Sequence, residues 1–350
     1  MGKYSLKSTL LFGLLVSLLG CEMEQDVPIP AHEPRLSLRL SLINLTPDTL
    51  LYISTRESQL FVGRSQGVLE DSEELLAIPD AQVELFDEAG QLVEIYTHTG
   101  KSYFGGGSYY WSDSTGNYSP GAYHYPPAPG FYEATKGFVP APGARYTIRA
   151  SAPGYKPIEA TTTVPLEAAV SGVAFDGQRG EYGWEIQGNI RLTIHDKAGE
   201  QNYYRVRIYP VDSTYSRAGF SEARTVEDDI NFDRDEKLRL GEVFSDESYT
   251  SGAIGFSSKI SVTPEAFEYN NNNNNNNNNG NQKQGRKAKY LEVQVEQLSK
   301  EEYLFNKTLE AQWLTEDNPF AEYAQVYSNV SGGYGVLSGV TVSKFYVPLE

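Results

Sequence analysis

Leu36-Ser37-Leu38-Arg39-Leu40-Ser41-Leu42 alternates apolar and polar residues without a break, and this period of two is the strongest constraint on the fold. Successive side chains of a strand point to opposite faces, so the four leucines line one buried face of a sheet. The period returns at Val83 and Leu85, at Tyr146 and Ile148, and at Ile190, Leu192 and Ile194. It returns again at Tyr204, Val206 and Ile208, at Leu291, Val293 and Val295, and at Val340 and Val342. Turn formers such as Gly143, Pro153 and Gly154 punctuate these runs. With 32 Gly, 18 Pro, 25 Tyr and 15 Phe, the composition suits short strands joined by turns, not a helical bundle or a parallel α/β sheet. The expected fold is mainly β.

Two β-rich domains are expected. Residues 36–166 read as a small antiparallel β-sandwich of transthyretin-like or Ig-like type. The stretch from Ile78 to Gly90, Gly130-Phe131-Tyr132 and the stretch from Ala144 to Tyr155 have the cadence of transthyretin-like domains, and Thr161 to Pro165 would close this one. Residues 167–350 form the second β-rich domain, which carries one amphipathic helix. Ser299 and Glu302 make an S-x-x-E capping box, Phe305, Leu309 and Trp313 share one helical face, and Asn318-Pro319 ends the helix. The helix is expected to lid the sandwich.

Cys21 is the sole cysteine, and it follows a signal-like segment. Lys3 and Lys7 supply a positive start, Leu10 to Leu19 an apolar run, and Leu18-Leu19-Gly20-Cys21 reads as a lipobox. A membrane-spanning helix needs about 20 apolar residues, so residues 1–20 read as a cleaved signal and Cys21 as the lipidated first residue. Two or three acyl chains hold a protein stably on a membrane. Glu22, Glu24, Asp26, Pro28, Pro30 and Pro34 make residues 21–35 a solvated tether. The expected location is the outer membrane, lipid-anchored and exposed at the cell surface. Loss of two lysines with the signal leaves 27 basic against 46 acidic residues, a charge near −19 that opposes nucleic-acid binding. With no second cysteine, disulfides and Cys-based metal sites are excluded.

Two segments stand apart. Asn270 to Asn279 is an unbroken asparagine run inside a loop over about 267–288, with Lys283, Arg286, Lys287 and Lys289 beyond it. Residues 100–130 interleave Tyr103, Phe104, Tyr109, Tyr110, Trp111, Tyr118, Tyr123 and Tyr125 with Gly, Ser and Pro. Rings give large contact area at low entropic cost while Gly and Ser let the backbone adapt, so these eight are the candidate contacts to a ligand or partner. Glu227, Asp228, Asp229, Asp233, Asp235 and Glu236 form an acidic cluster; Asp229, Asp233 and Asp235 are its calcium candidates, although the spacing is not that of an EF-hand. The four histidines, His32, His98, His124 and His195, show no paired ligand spacing, and no serine sits in a G-x-S-x-G elbow. No enzyme activity and no cofactor are expected.

The order of motifs resembles the domain-of-unknown-function 4249 family of Bacteroidota outer-membrane lipoproteins. The carrying residues are Ile194-His195-Asp196, the stretch Glu200 to Val206, Phe244-Ser245-Asp246, Tyr303-Leu304, Asn318-Pro319-Phe320 and the run from Tyr327 to Gly339. The acidic tether is similar to surface-export signals of such lipoproteins. The resemblance implies a non-enzymatic accessory or ligand-capture subunit of a TonB-dependent outer-membrane receptor, and it brings no catalytic residues. The alternatives are a free-standing surface adhesin for glycans or peptides, and a hydrolase built on a pair of carboxylates.

Overall fold

In β1 (Leu36–Asn44) the alternation separates two environments: Leu36, Leu38, Leu40 and Leu42 are buried in one core, while Arg39 and Ser41 face the opposite side of the sheet. The computed structural model describes residues 32–44, 59–67, 76–99, 130–180, 184–197, 199–217, 222–226, 240–249, 252–265, 287–316 and 324–350, and the backbone of 111–112 and 118–119.

The first half continues with β2 (Leu60–Arg64), β3 (Gln82–Asp87), β4 (Leu92–His98), the short pair β5 (Trp111–Ser112) and β6 (Tyr118–Ser119), and β7 (Phe131–Ala134). β8 (Arg145–Ser151) and β9 (Ile158–Thr163) complete it. The second half holds β10 (Ala169–Phe175), β11 (Gln178–Arg179), β12 (Ile186–His195), β13 (Tyr203–Val211), β14 (Arg224–Thr225) and β15 (Val243–Ser245). It ends with β16 (Ala253–Val262), β17 (Tyr290–Leu298), helix α1 (Lys300–Glu316) and β18 (Tyr334–Pro348).

Eleven strands form one sheet in the order β15-β13-β17-β18-β1-β2-β7-β4-β3-β8-β9. A second sheet runs β10-β12-β16-β14, with β11 on β12. The large sheet turns back on itself, so that Glu159 of β9 bridges to Ser331 and encloses the first core with Val83, Leu85, Tyr146 and Ile148. The second core fills the space between the sheets with Ile190, Leu192, Ile194, Ile254 and Phe256 from one and Val206, Ile208, Leu291, Val293 and Val295 from the other. Full burial of each such aliphatic side chain stabilises the fold by roughly 1.5–3 kcal/mol.

The first core draws mainly on residues before 166 but takes in Val330 and Leu337, a smaller cluster joins Ile43 to Tyr203 and Val340, and one sheet spans both halves of the chain. Residues 34–350 make one unit because β1 lies between β2 and β18, paired in parallel with β18 and antiparallel with β2. That parallel ladder depends on Gly335, at φ +109°, where an added Cβ would lie 1.8 Å from the Leu38 carbonyl oxygen.

Helix α1 forms where the capping motif places it, with the Ser299 hydroxyl accepting the Glu302 N–H at 3.3 Å. The reciprocal half of the expected box is absent. The Ser299 N–H already donates to the Gly339 carbonyl at 2.8 Å, and the Glu302 carboxylate turns inward to accept from Ser41 and Ser338 hydroxyls at 2.8 and 2.5 Å. The expected apolar stripe is also shorter than its periodicity: Phe305 is buried, but Trp313 is 64% exposed and Leu314 77%. Docking runs through the first half of the helix, by Glu302, by Tyr303 stacked on Tyr203 and by Phe305 under Arg39. No helix among the described residues is long and apolar enough to cross a membrane.

Candidate functional site

The face of β13, β17 and β18 that points away from the second core is polar and largely roofed. Register places Arg205 opposite Glu296, Arg207 opposite Gln294 and Tyr209 opposite Glu292; on the other side of β17, Val342, Lys344 and Tyr346 stand opposite the same three residues. At one end Tyr203, Leu298 and Val340 lie beneath Tyr303 of α1. At the other end the chain after β13 folds over the face and delivers Arg217.

Arg205 Nε donates to Glu296 at 2.6 Å, and Arg207 Nε lies 3.7 Å from the same carboxylate. Arg217 donates to Glu292 from Nη2 at 2.6 Å and from Nε at 3.3 Å, while its guanidinium stacks 3.6 Å above the Tyr209 ring. Gln294 and Lys344 complete the shell of Glu292 at 2.8 and 3.5 Å. Burial pushes the Glu292 carboxyl up, but the hydrogen bonds and charge of Arg217, with Lys344 and Gln294, outweigh it and hold the group below the usual carboxylate range. Burial lowers the Lys344 ammonium despite Glu292, with Arg217 adding to the effect. Burial raises Glu222 against the pull of Arg207, and pushes the Tyr209 hydroxyl up to about 12. Among the described residues, Arg217 Nη1 and Gln294 Oε1 are buried without a hydrogen-bond partner. Glu292, saturated by donors, is an anchor and a poor proton acceptor.

Where the face opens, Asp212 builds a tight turn. Its Oδ1 accepts from Thr214 N–H at 2.8 Å, from the Thr214 hydroxyl at 2.7 Å and from Ser216 N–H at 3.0 Å, and its carbonyl accepts from Tyr215 N–H at 3.1 Å. The turn holds Tyr215 at φ +60°, the one described non-glycine residue with positive φ. The Tyr215 ring packs against Tyr290 and Tyr346, with centroids 5.4 and 4.6 Å away.

A second polar cluster joins three segments far apart in sequence. Asn202 Nδ2 donates to Asp196 at 3.1 Å and to Asp246 at 3.3 Å, and Asn202 N–H donates to Asp246 at 2.8 Å. The Tyr204 hydroxyl donates to Asp196 at 3.0 Å, and Gln297 donates to Asn202 Oδ1 at 2.9 Å. Burial and the neighbouring Asp196 raise Asp246, against the lowering effect of Asn202. Both carboxylates are spent in joining the β12–β13 connection to the end of β15.

Asp196, Asn202 and Asp246 each come from a different motif of the sequence, and their meeting gives those motifs one physical purpose. The family model described as Domain of unknown function (DUF4249) matches residues 50–345. The chain belongs to this family. A search of curated proteins gives no match.

In this DUF4249 protein the residues singled out from sequence fall largely outside the described structure. Cys21, Tyr103, Phe104, Tyr109, Tyr110, Tyr123, Tyr125, Asp229, Asp233 and Asp235 lie outside the described residues. Trp111 and Tyr118 are described only as backbone, in the antiparallel pair β5–β6. His195 ends β12 and its Nε2 shares a 2.6 Å hydrogen bond with the Ser171 hydroxyl. The charged face and the Tyr215 turn escaped the sequence reading. The alternation of Glu292, Gln294 and Glu296 against Leu291, Val293 and Val295 was visible, but their burial comes with partners distant in sequence, Arg217 on Glu292 and Arg205 on Glu296.

Proposed function

We propose that this protein is a lipid-anchored outer-membrane capture protein, without catalytic activity, that serves a TonB-dependent transporter. The observation that carries the capture reading is Tyr215: an exposed ring held in a costly backbone conformation by a turn whose polar groups are committed to holding it there. The buried Arg217–Glu292 ion pair beneath it makes a stiff support, as recognition surfaces need. The lipid on Cys21 would fix the molecule to the membrane. Between Cys21 and Leu36 the tether reaches at most roughly 50 Å when fully extended. Confinement beside a receptor raises effective concentration without strong intrinsic affinity.

The test is affinity purification of the lipidated protein from its own outer membrane, with mass spectrometry of what stays bound. A stoichiometric TonB-dependent barrel is the expected result, and Cys21→Ser should move the protein to the soluble fraction. Recovery of the lipoprotein alone in gentle detergent would replace the accessory reading with that of a free-standing adhesin, which the exposed tyrosines also favour. Among the described residues, Asp196 and Asp246 are one close carboxylate pair that a hydrolase reading could use. Those oxygens are engaged by Asn202 and Tyr204, which supports a structural role.

A further inference from the structure

Tyr215, Tyr290 and Tyr346 form a platform with a defined construction. Tyr215 is 52% exposed and Tyr346 42%, so both rings offer surface to solvent while touching each other. Burial and the neighbouring Glu292 raise the Tyr346 hydroxyl, and Arg217, Gln294 and Lys344 hold Glu292 in turn. Tyr290 lies at the start of β17, and Tyr346 stands opposite Glu292 on β18. Two of the three rings are thus fixed by the sheet, and the third by the Asp212 turn. A tyrosine at φ +60° is uncommon, and glycine or asparagine would occupy the position with less strain.

The chemistry around the platform narrows its ligand. Around the rings Arg217 and Lys344 are matched by Glu292 and by Asp212 of the turn, so the local charge is balanced and favours neither an organic cation nor an anion. The chain as a whole carries −17, which disfavours polyanions. Exposed Ser213 and Thr214 and the tyrosine hydroxyls give the rings a polar rim, which disfavours a purely apolar ligand. A neutral ring with apolar C–H faces and a hydroxyl edge fits all three conditions. We infer that Tyr215, Tyr290 and Tyr346 bind a neutral saccharide by stacking.

This inference rests on the capture reading and adds the class of the ligand. The full-length protein in detergent is titrated calorimetrically with short neutral gluco-, manno-, galacto- and xylo-oligosaccharides. One class should bind. Tyr215→Gly removes a ring while relieving the strained φ, so it should weaken binding about tenfold or more and leave the melting temperature equal or higher. Tyr346→Ala should weaken binding similarly, and Tyr346→Phe much less. Failure of every oligosaccharide to bind, or binding untouched by Tyr215→Gly, would overturn the inference. A receptor that co-purifies with wild type but not with Tyr215→Gly, without saccharide binding, overturns the saccharide and keeps the capture reading. Saccharide binding without a co-purifying receptor does the reverse.

Discussion

Arg205 Nε and Glu296 Oε2 meet at 2.6 Å across the β13–β17 ladder, with both side chains only 3% exposed. Removing one partner leaves the other charge buried, which costs about 3–5 kcal/mol, whereas replacing both by apolar residues of similar size is often neutral. Glu296→Leu should therefore lower stability by about that amount, and Arg205→Met in the same chain should recover most of it. Urea unfolding of the two variants measures the difference.

Glu94 fixes the segment after β7. Its Oε1 accepts backbone N–H groups of Ile95, Thr135 and Lys136 at 2.8, 2.9 and 2.8 Å, and its Oε2 that of Phe138 at 3.0 Å. Burial raises the carboxyl, but the four N–H groups outweigh it and hold the carboxyl below its ordinary value. The stabilisation is then complete above the unfolded value of about 4.3 and is lost as pH falls through the folded one. Glu94→Gln should lose about 1.5–3 kcal/mol at pH 7. Melting curves of wild type and variant should converge as the pH is taken below 4.

Asp246 behaves with the opposite sign. Its folded value is raised, so its favourable contribution is present below the unfolded value of about 3.9 and is lost as pH rises through the folded one. Asp246→Asn keeps an acceptor for the Asn202 N–H and gives Asp196 a donor. It should raise the melting temperature at pH 7 and change it little near pH 3.5. A lower melting temperature at pH 7 would show that the charge itself is needed there.

Gly335→Ala tests the parallel ladder. The added methyl would press on the Leu38 carbonyl in a backbone conformation that alanine disfavours, so the variant should lose about 3 kcal/mol or more. Circular dichroism melting reads the loss. A companion Gly90→Ala change, at a turn where a Cβ meets nothing within 4 Å, should cost markedly less.

Much of the local structure was legible in the sequence. Alternation located β1, β3, β8, β12, β13 and β17, because one face of each strand is buried in an apolar core. Ser299 marked the start of α1 because a hydroxyl there satisfies an unpaired N–H. The partnership of β1 with β18 left no such mark, since pairing across nearly the whole chain depends on global shape. For the same reason the strand period assigned Glu292 and Glu296 to a polar face without telling whether that face was wet. Tyr215 was hidden because a lone tyrosine after Asp212-Ser213-Thr214 looks like any turn residue until its φ is known.

The position of β18 has a kinetic consequence. It follows every other described strand in the sequence, yet it lies between β17 and β1 inside the large sheet. During synthesis β1 emerges first and waits, with one edge unpaired, for a neighbour made almost last. Pairings this distant fold slowly, because the entropy of closing the loop is lost before the contacts form. The order of manufacture and the order of assembly are thus opposed, and the chain stays open until its final strand arrives. Shortening it at the carboxyl end would remove an interior strand of the sheet, not its margin.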